Sequence, residues 1–443
     1  MAIDSLDRTL VHHGPSRDAG PDGGNARRIA VLIADLNVGG VQKTTLALAR
    51  AMAELRYRVD LLVLRPGGAL QGEICAAVSV VELSPAAGWL GRLYALAADP
   101  AAIAQLLRPV LLAKKVSASL PYLPALVGYL RRERPDALLA ATPHLNLEAV
   151  WARRLAGTTT RVLVSERSAP SQKLPKSKNW RHRHLPPLMR RTYPQADVVV
   201  AVSQALADDL AKVTGLPRSS VRTIYNPVVG PELFEQARAP IDHPWLQAGQ
   251  PPLILGVGRL TEQKDFPTLL RAFARVRARR AVRLLILGGA KNEEKLQDRQ
   301  AALGALAEQL GIAADVALPG FVANPIAYMA QARVFVLSSR FEGLPGALIQ
   351  ALACGCQVVS TDCPTGPAEI LERGRYGLLV PMGDDAAMAS AIERALDAPL
   401  AAALLRRRAA DFSEERAVAS YLEALFGSVP AGSAVAESRV AVA

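Results

Sequence analysis

The strongest constraint on the fold is an alternation of short apolar runs with helical patterns, which occurs twice along the chain. Each apolar, β-branched run is predicted to be a strand, and a polar or glycine turn and a stretch of good helix formers follow it. Such an alternation produces a parallel sheet covered by helices. We therefore expect an α/β protein with two Rossmann-like doubly wound domains that face each other across a cleft. The predicted strands are 29–35, 59–64, 78–83, 137–141, 161–165, 198–202 and 221–224 in the first array, and 253–257, 283–287, 316–318, 334–337, 358–360 and 378–380 in the second.

The length supports two domains, because 443 residues are too many for one ordinary hydrophobic core. A stretch with proline, glutamine and little periodicity separates the two arrays, which is typical of a linker. The predicted boundaries are a flexible tail at 1–27, an N-terminal Rossmann-like domain at 28–228, a linker at 229–252, a C-terminal Rossmann-like domain at 253–403, a helical segment at 404–427 and a flexible tail at 428–443.

The composition narrows the class of partner. Half of the residues are hydrophobic and 21% are charged, which is the profile of a globular enzyme. The net charge of +12 favours an anionic partner, such as a nucleotide, a nucleic acid or an anionic membrane. Aromatic residues make up only 5%, and proteins that bind single strands stack bases on aromatic side chains. We therefore do not expect a nucleic-acid partner.

The cysteines are predicted to be structural. Cys354, Cys356 and Cys363 cluster, but Cys-x-Cys is not a usual zinc-binding spacing, so no metal site is expected. Reduced thiols fit a cytoplasmic protein. The first residues lack the apolar core of a signal peptide. The longest uncharged run, 116–130, is shorter than the ~20 residues of a membrane-spanning helix.

Residues 85–134 interrupt the alternation with apolar helical patches at 90–98 and 103–112, which basic residues flank. Two interpretations stay open: a helical hairpin packed on the domain, or an amphipathic surface in a membrane interface. A second basic run, 173–191, also contains Trp180 and Met189, which suits anionic lipid head groups or a phosphorylated substrate. Peripheral association with the inner face of the plasma membrane is therefore one candidate location.

The predicted ligand site follows the strand at 334–337. Ligands of open α/β sheets bind at the carboxyl ends of the strands. Glu342 stands there, before a glycine turn and a helix that carries Gln350. The backbone N–H groups of this turn suit an anion or sugar hydroxyls; an exposed capping glutamate is the alternative. The turn residues predicted to bind the ligand are Gly343, Leu344, Pro345 and Gly346.

A second candidate cluster follows the first strand of the second array. Arg259 and Lys264 stand five residues apart beside Gly258 and ahead of a predicted helix, so they could clamp a diphosphate. Solvated surface charges are the alternative. Gly366 and Glu369 follow a later strand and are predicted to face the same cleft.

The first array contributes two further candidates. Gly39 and Gly40 precede Lys43-Thr44, which resembles a phosphate-binding loop of a nucleoside triphosphatase, but Gln42 replaces the glycine that such a loop needs before its lysine. A glycine turn that admits a ligand to the backbone, and a purely structural turn, are the other interpretations. His144 follows a strand and either lines the acceptor side or has a capping or core role.

Together these motifs resemble the retaining GT-B glycosyltransferases of family 4. The matching segments follow in order and spacing: 258–260, 264–266, 338–345, 350–355, 358–371 and 376–380, with Gly39-Gly40 and residues 202–227 in the first array. The resemblance implies that the first domain binds the acceptor and that the second binds the nucleotide-sugar donor. It implies that Arg259 and Lys264 bind the donor diphosphate and that Glu342 contacts the donor sugar. The backbone amides from Gly343 to Gly346 would hold the sugar hydroxyls or the phosphate. The resemblance also extends the donor site to Val322. The family usually has a second glutamate eight residues after the first; here that residue is Gln350.

The resemblance implies a retaining hexosyltransferase that needs no metal and no cofactor besides its nucleotide-sugar co-substrate. We expect it to move a sugar, UDP-linked, to a lipid-linked or glycan acceptor in envelope or extracellular polysaccharide assembly, with an anionic membrane surface as a further candidate partner. Two alternatives stay open: a catalytically weak nucleotide-sugar-binding protein, for which Gln350 is the sign, and a P-loop-like nucleoside triphosphatase.

Overall fold

The computed structural model describes residues 11–13, 26–112, 117–173, 184–289 and 293–427. Within these ranges the chain forms two sheets, one of eight and one of six strands. Every strand pair is parallel except the pair that β1 forms. The predicted α/β fold with two Rossmann-like domains is confirmed.

The first sheet has the order β1-β4-β3-β2-β5-β6-β7-β8. The chain therefore builds outward from β2 in one direction and then from β5 in the other, and the topological switch point lies between these two strands. The strands are β1 (Val11–His13), β2 (Arg28–Asp35), β3 (Arg58–Arg65), β4 (Val78–Leu83), β5 (Ala137–Ala140), β6 (Arg161–Glu166), β7 (Val198–Ala201) and β8 (Val221–Thr223).

The second sheet has the order β11-β10-β9-β12-β13-β14, which is the standard doubly wound order. Its switch point lies between β9 and β12, so the loops that follow these two strands emerge side by side. The strands are β9 (Leu253–Val257), β10 (Arg283–Leu287), β11 (Val316–Gly320), β12 (Val334–Leu337), β13 (Gln357–Thr361) and β14 (Leu378–Val380).

Helices connect the strands of both sheets. They are α1 (Gly40–Glu54), α2 (Gly88–Ala98), α3 (Ile103–Leu106), α4 (Leu123–Glu133), α5 (Pro143–Ala156), α6 (Pro170–Lys173), α7 (Leu185–Thr192), α8 (Gln204–Thr214), α9 (Pro231–Arg238), α10 (Phe266–Arg277), α11 (Glu293–Gln309), α12 (Pro325–Gln331), α13 (Gly346–Cys354), α14 (Pro367–Ile370), α15 (Asp385–Asp397), α16 (Ala402–Ala409) and α17 (Glu414–Phe426).

The strands are apolar on both faces because helices cover both faces of each sheet. In β2, Ile29 and Val31 belong to one core cluster, while Ala30 and Leu32 belong to the cluster on the other face. Full burial of one such side chain contributes about 1.5–3 kcal/mol to stability. This two-sided burial is why the strands appear in the sequence as continuous apolar runs.

The predicted flexible tail contains one short strand. β1 pairs antiparallel with β4, with His12 opposite Glu82, and thereby covers the open edge of the first sheet. An uncovered edge strand exposes a row of unpaired backbone groups, which accounts for the pairing. The other residues of the predicted tails, 1–10, 14–25 and 428–443, lie outside the described residues.

The predicted linker is not free of regular structure. It contains α9 and a 3-10 turn at Pro244–Leu246. Pro231 occupies the first turn of α9, where it is well tolerated. Leu233 is buried, α9 packs on α12, and Asn324 Nδ2 donates to the Gln236 carbonyl at 2.9 Å. The segment therefore forms part of the second domain's surface.

The predicted C-terminal helical segment divides between the domains. α16 packs against α13, whereas α17 returns to the first domain and packs against α1. Tyr421 and Leu425 are fully buried in the core cluster of the first sheet. The chain passes between the two domains twice, near residue 228 and near residue 412. These two segments run side by side, because the backbone amides of Val228 and Val229 donate to the Phe412 carbonyl at 3.1 Å. We call residues 225–230 and 410–414 the hinge.

The inserted helices between β4 and β5 pack on the domain and also present an apolar outer surface. α2 buries Gly91, Ala95 and Ala98 and leaves Trp89 63% and Leu93 51% exposed. The packed-hairpin interpretation describes the inner face, and contact of the outer face with a membrane stays a prediction. No helix in the described ranges has the length and hydropathy of a membrane span.

Candidate functional site

The candidate site is built from two loops at the switch point of the second sheet. One loop follows β9 and carries Arg259 and Lys264. The other follows β12, spans residues 338–346 and is called the donor loop below. Because β9 and β12 are neighbouring strands in parallel register, both loops leave the same edge of the sheet. They bind each other: Gln263 Nε2 donates to the Phe341 carbonyl at 2.9 Å, and Ser338 Oγ donates to the Lys264 carbonyl at 2.6 Å.

Lys264 and Glu342 form the central contact of the site. Lys264 Nζ lies 2.7 Å from Glu342 Oε1, and the two side chains are only 16% and 10% exposed. Ser339 Oγ donates to the same carboxylate oxygen at 2.7 Å. Glu342 is therefore held from two sides rather than exposed as a simple cap.

Arg259 differs from Lys264 in being exposed. Within the described part of the chain its guanidinium makes no hydrogen bond or ion pair, so it is available to an anion. Gly258 has a packing role, because a Cβ on this residue would lie 2.8 Å from Cε of Lys264. The predicted clamp thus consists of one free cation and one that is paired with Glu342.

The donor loop ends at the N-terminus of α13, with Pro345 at the N-cap and Gly346 as the first helical residue. As far as the structure describes the chain, the amides of Gly343, Leu344 and Gly346 donate no hydrogen bond. Unpaired amides at a helix N-terminus attract anions. The turn therefore offers donors beside the Glu342 carboxylate, as predicted from its glycines.

Gln350 and Val322 are both half-buried. Gln350 lies on α13, eight residues after Glu342, and its side-chain amide has no hydrogen-bond partner among the residues described. Val322 follows β11 and packs against the core. Gly366 packs under the turn: it has a φ of +95°, and a Cβ there would lie 2.7 Å from the Gly343 carbonyl oxygen. Donor contacts for these residues stay predictions.

Glu369 occupies a place that the sequence did not indicate. Its carboxylate accepts hydrogen bonds from the first domain. The backbone N–H of Gln204 lies 2.8 and 2.9 Å from the two carboxylate oxygens, and the Tyr225 hydroxyl donates at 2.7 Å. Both oxygens are therefore engaged across the domain boundary. A donor contact by Glu369 would require their release.

The first domain meets the donor loop closely. A Cβ on Gly343 would lie 2.1 Å from the Arg167 carbonyl oxygen, so only glycine fits there. Ser203 Oγ also donates to the Gly343 carbonyl at 3.3 Å. Sequence reasoning did not single out Ser203 or Tyr225 as site residues; the one available signal was a serine directly after a strand, which is typical of a helix N-cap.

Gly39, Gly40 and His144 lie at the carboxyl edge of the first sheet. Gly39 is the N-cap of α1 in extended conformation, and Gly40 is the first residue of that helix. Gln42 Nε2 donates to Asp35 Oδ1 at 3.2 Å. The turn is thus a helix start anchored to β2, and the donor contacts of Gly39 and Gly40 stay predictions. His144 is half-buried as the second residue of α5.

A buried polar network lies in the first domain, and the sequence did not predict it. Asn146 Nδ2 donates to Glu166 Oε1 and to the Tyr193 hydroxyl, both at 3.0 Å. Burial and the nearby Glu166 carboxylate raise the pKa of Tyr193 well above its ordinary value. The network connects α5 to the ends of β6 and α7.

The cysteines of the second domain are free thiols. Burial raises the pKa of Cys354 to about 11 and that of Cys363 to about 12. Such thiols are inert at neutral pH. Among the described residues, no three acidic, histidine or cysteine side chains are grouped as metal ligands would be.

Comparisons with known proteins agree with this geometry. The profile of the Glycosyltransferase Family 4 matches residues 38–229, and that of the Glycosyl transferases group 1 matches residues 251–398. Each profile thus covers one domain, and together they include both candidate loops.

Two relatives and one solved structure illustrate the similarity. The chain is 32% identical over 244 residues to a Campylobacter jejuni N-acetylgalactosamine-N,N'-diacetylbacillosaminyl-diphospho-undecaprenol 4-alpha-N-acetylgalactosaminyltransferase, a match that covers 55% of this chain and 62% of the relative. It is 32% identical to the lipopolysaccharide core biosynthesis glycosyltransferase LpsE of Rhizobium meliloti, covering 42% of this chain and 52% of LpsE. The matches therefore span less than two thirds of either relative.

The crystal structure of HepE from Anabaena in complex with UDP and glucose superimposes with a TM-score of 0.68 at 19% identity, over 90% of this chain and 99% of HepE. At this identity the likeness concerns the fold. With the two family profiles, it assigns the chain to a family: the chain belongs to the group 1 glycosyltransferases with the GT-B fold.

Proposed function

We propose that this protein transfers a sugar from a UDP-linked donor to a lipid-linked or glycan acceptor in cell-envelope or extracellular polysaccharide assembly. The observation that carries the proposal is the Lys264–Glu342 pair at the N-terminus of α13, beside the exposed Arg259. Cations and unpaired amides suit a diphosphate, and a fixed carboxylate suits sugar hydroxyls. The UDP in the HepE structure and the lipid-diphosphate named for the C. jejuni relative support the choice of donor and acceptor.

In the proposed reaction the bond between the anomeric carbon and the diphosphate breaks, and the acceptor oxygen bonds to that carbon on the same face. Arg259 and the amides of Gly343 and Gly346 stabilise the charge on the departing diphosphate, without a bound metal. Lys264 and Ser339 both engage Glu342, which suits a contact with sugar hydroxyls better than attack on carbon. The acceptor proton passes to the departing phosphate oxygen.

The experiment that tests the transferase is a screen of nucleotide-sugar donors, with products read by mass spectrometry. Arg259→Ala should reduce kcat/KM about a hundredfold, the typical effect of removing one charge-stabilising group. Arg280→Ala is the matched control, because this half-buried arginine of the same domain forms an ion pair with Asp397 on α15. Equal turnover by both variants would overturn the diphosphate assignment of Arg259.

Three further readouts separate the finer claims. Proton NMR of the fresh product distinguishes retention from inversion at the anomeric carbon. Turnover that survives excess chelator supports the metal-independent reaction, and its loss contradicts it. Binding of UDP-sugars without turnover of any donor would favour the alternative, a catalytically weak nucleotide-sugar-binding protein, to which Gln350 points.

For the acceptor side we propose contact with an anionic membrane surface through the inserted helices. Trp89 and Leu93 on α2, Ile103 on α3, and Leu107 and Leu112 beyond it are each at least 42% exposed. In the sequence from 86 to 132 the only acidic residue is Asp99, which is buried and paired with Arg191. The exposed large side chains of this surface are thus apolar, and in the sequence of the segment basic residues outnumber the single acidic one, which suits anionic lipids.

Flotation with phosphatidylglycerol vesicles at low salt tests this contact. The double variant Trp89→Ser/Leu93→Ser should no longer float with the vesicles. The control variant Met382→Ser should still float with them, because it removes an exposed apolar side chain of the second domain. If wild-type protein ignores the vesicles, the membrane contact is refuted and the donor chemistry stands untouched.

A further inference from the structure

Glu369 is anchored in the second domain but binds the first. It lies on α14, where Arg408 fixes the backbone by donating to the Glu369 carbonyl at 2.7 Å and to the Ile370 carbonyl at 2.9 Å. Arg408 is only 9% exposed. The carboxylate therefore projects from a rigid support rather than from a mobile loop.

Its partners in the first domain are two separate elements. One is the amide of Gln204, the first residue of α8, which approaches both carboxylate oxygens. The amides of a first helical turn have no acceptor within the helix, and the positive end of the helix dipole favours a carboxylate. Glu369 thus supplies, from the other domain, the hydrogen-bond acceptor that a capping side chain next to the helix usually supplies.

The other partner is the hydroxyl of Tyr225 in the hinge. The ring of Tyr225 packs on Phe412 of the second crossing, with 4.9 Å between the centroids. Burial, and next the hydrogen bond to Glu369, raise the pKa of Tyr225 above its ordinary value, so this phenol stays a donor at neutral pH. Glu369 thereby ties α8 to the hinge.

The same junction positions the donor loop. Three residues before Glu369, Gly366 packs against the Gly343 carbonyl, and Ser203, the N-cap of α8, donates to that carbonyl. Release of Glu369 would leave the Ser203–Gly343 hydrogen bond to hold the start of α8 against the donor loop.

We propose that Glu369 is a positioning residue, a clasp that holds the first domain against the donor loop in the geometry needed for transfer. The proposal rests on the proposed transferase function for its effect on catalysis, but the clasp itself is a statement about domain contact. It reassigns Glu369 from the donor to the domain boundary.

Hydrogen exchange at the Gln204 amide measures the clasp directly and without any substrate. Glu369→Ala should raise the exchange rate of this amide about tenfold or more, the factor expected when a hydrogen bond to a charged group is lost. In Glu369→Gln, which keeps an acceptor oxygen, the exchange rate of this amide should lie between those of the wild type and Glu369→Ala. Glu393→Gln is the matched control, because this carboxylate pairs with Arg279 within the second domain.

Kinetics test the positioning role. In Glu369→Ala, and more mildly in Tyr225→Phe, kcat should fall about tenfold while the donor KM stays within a factor of two, because the donor groups are left in place. Should Glu369→Ala fail to fold, the Gln and Phe variants carry the same comparison.

The outcomes separate the two proposals. Unchanged Gln204 exchange in the Glu369 variants would overturn the clasp, and faster exchange with wild-type kcat would overturn its positioning role. A wild-type protein that turns over no donor would refute the proposed function, while the exchange measurement would still judge the clasp.

Discussion

The Lys264–Glu342 pair allows the sharpest quantitative test. We expect Lys264→Met and Glu342→Gln each to lower the free energy of unfolding of the second domain by about 2–3 kcal/mol, because each leaves its partner unpaired in a largely buried place. In the double variant neither charge is present. Its loss should therefore be smaller than the sum of the two single losses.

The magnitude follows from the geometry. At a separation of 2.7 Å, two unit charges attract each other by about 6 kcal/mol at an effective dielectric constant near 20. Desolvation offsets much of this, and measured values range from about 0.2–1 kcal/mol for exposed pairs to about 3–5 kcal/mol for breaking buried ones. Exposures of 16% and 10% place the pair toward the buried limit. We expect a coupling free energy of about 2 kcal/mol.

The assay is a double-mutant cycle by urea unfolding, followed by circular dichroism. A second cycle on Arg280→Met and Asp397→Asn is the control, because that pair lies in the same domain with side chains 35% and 60% exposed. It should show no measurable coupling. If the Lys264–Glu342 cycle gave no more coupling than the control, the pair would be an ordinary surface contact and the reasoning about a fixed carboxylate would fail.

Three further predictions concern single residues. Gly343→Ala places a carbon 2.1 Å from the Arg167 oxygen, whereas such contacts need about 3.3 Å; the resulting shift of ~1 Å should lower kcat about a hundredfold, and Gly304→Ala on α11, with open space around it, is the control. Gln350→Glu should lower the donor KM about fivefold, because a charge-assisted hydrogen bond to a ribose is about twice as strong as a neutral one; an unchanged KM would remove Gln350 from the donor site. Burial raises the pKa of Glu148 from 4.5 to about 8. Between these two pH values the folded protein keeps a proton that the unfolded chain releases. The free energy of unfolding therefore falls as the pH rises through this range. In Glu148→Gln this loss should be absent, and thermal unfolding of both proteins between pH 5 and pH 8 measures it.

The sequence alone determined the architecture and the second domain's candidate site. Short apolar, β-branched runs that alternate with helical patterns are typical of strands in helix-covered sheets, so their alternation predicted both domains and nearly every strand. The candidate donor site was equally local in the sequence: Glu342, its glycine turn and the start of α13 are contiguous, and a helix N-terminus favours anions. Arg259 and Lys264 were predicted to belong to the same site, because loops after parallel strands leave the same edge of the sheet.

Only the tertiary structure decided which charges meet and how the domains join. The pairing of Lys264 with Glu342 depends on β9 and β12 being neighbours, although 78 residues separate the two side chains. The binding of Glu369 to Gln204, across 165 residues, and the return of α17 to the first domain leave no periodic trace in the sequence. Periodicity records which face of an element is buried. The identity of the element that buries it is settled by packing across the whole chain.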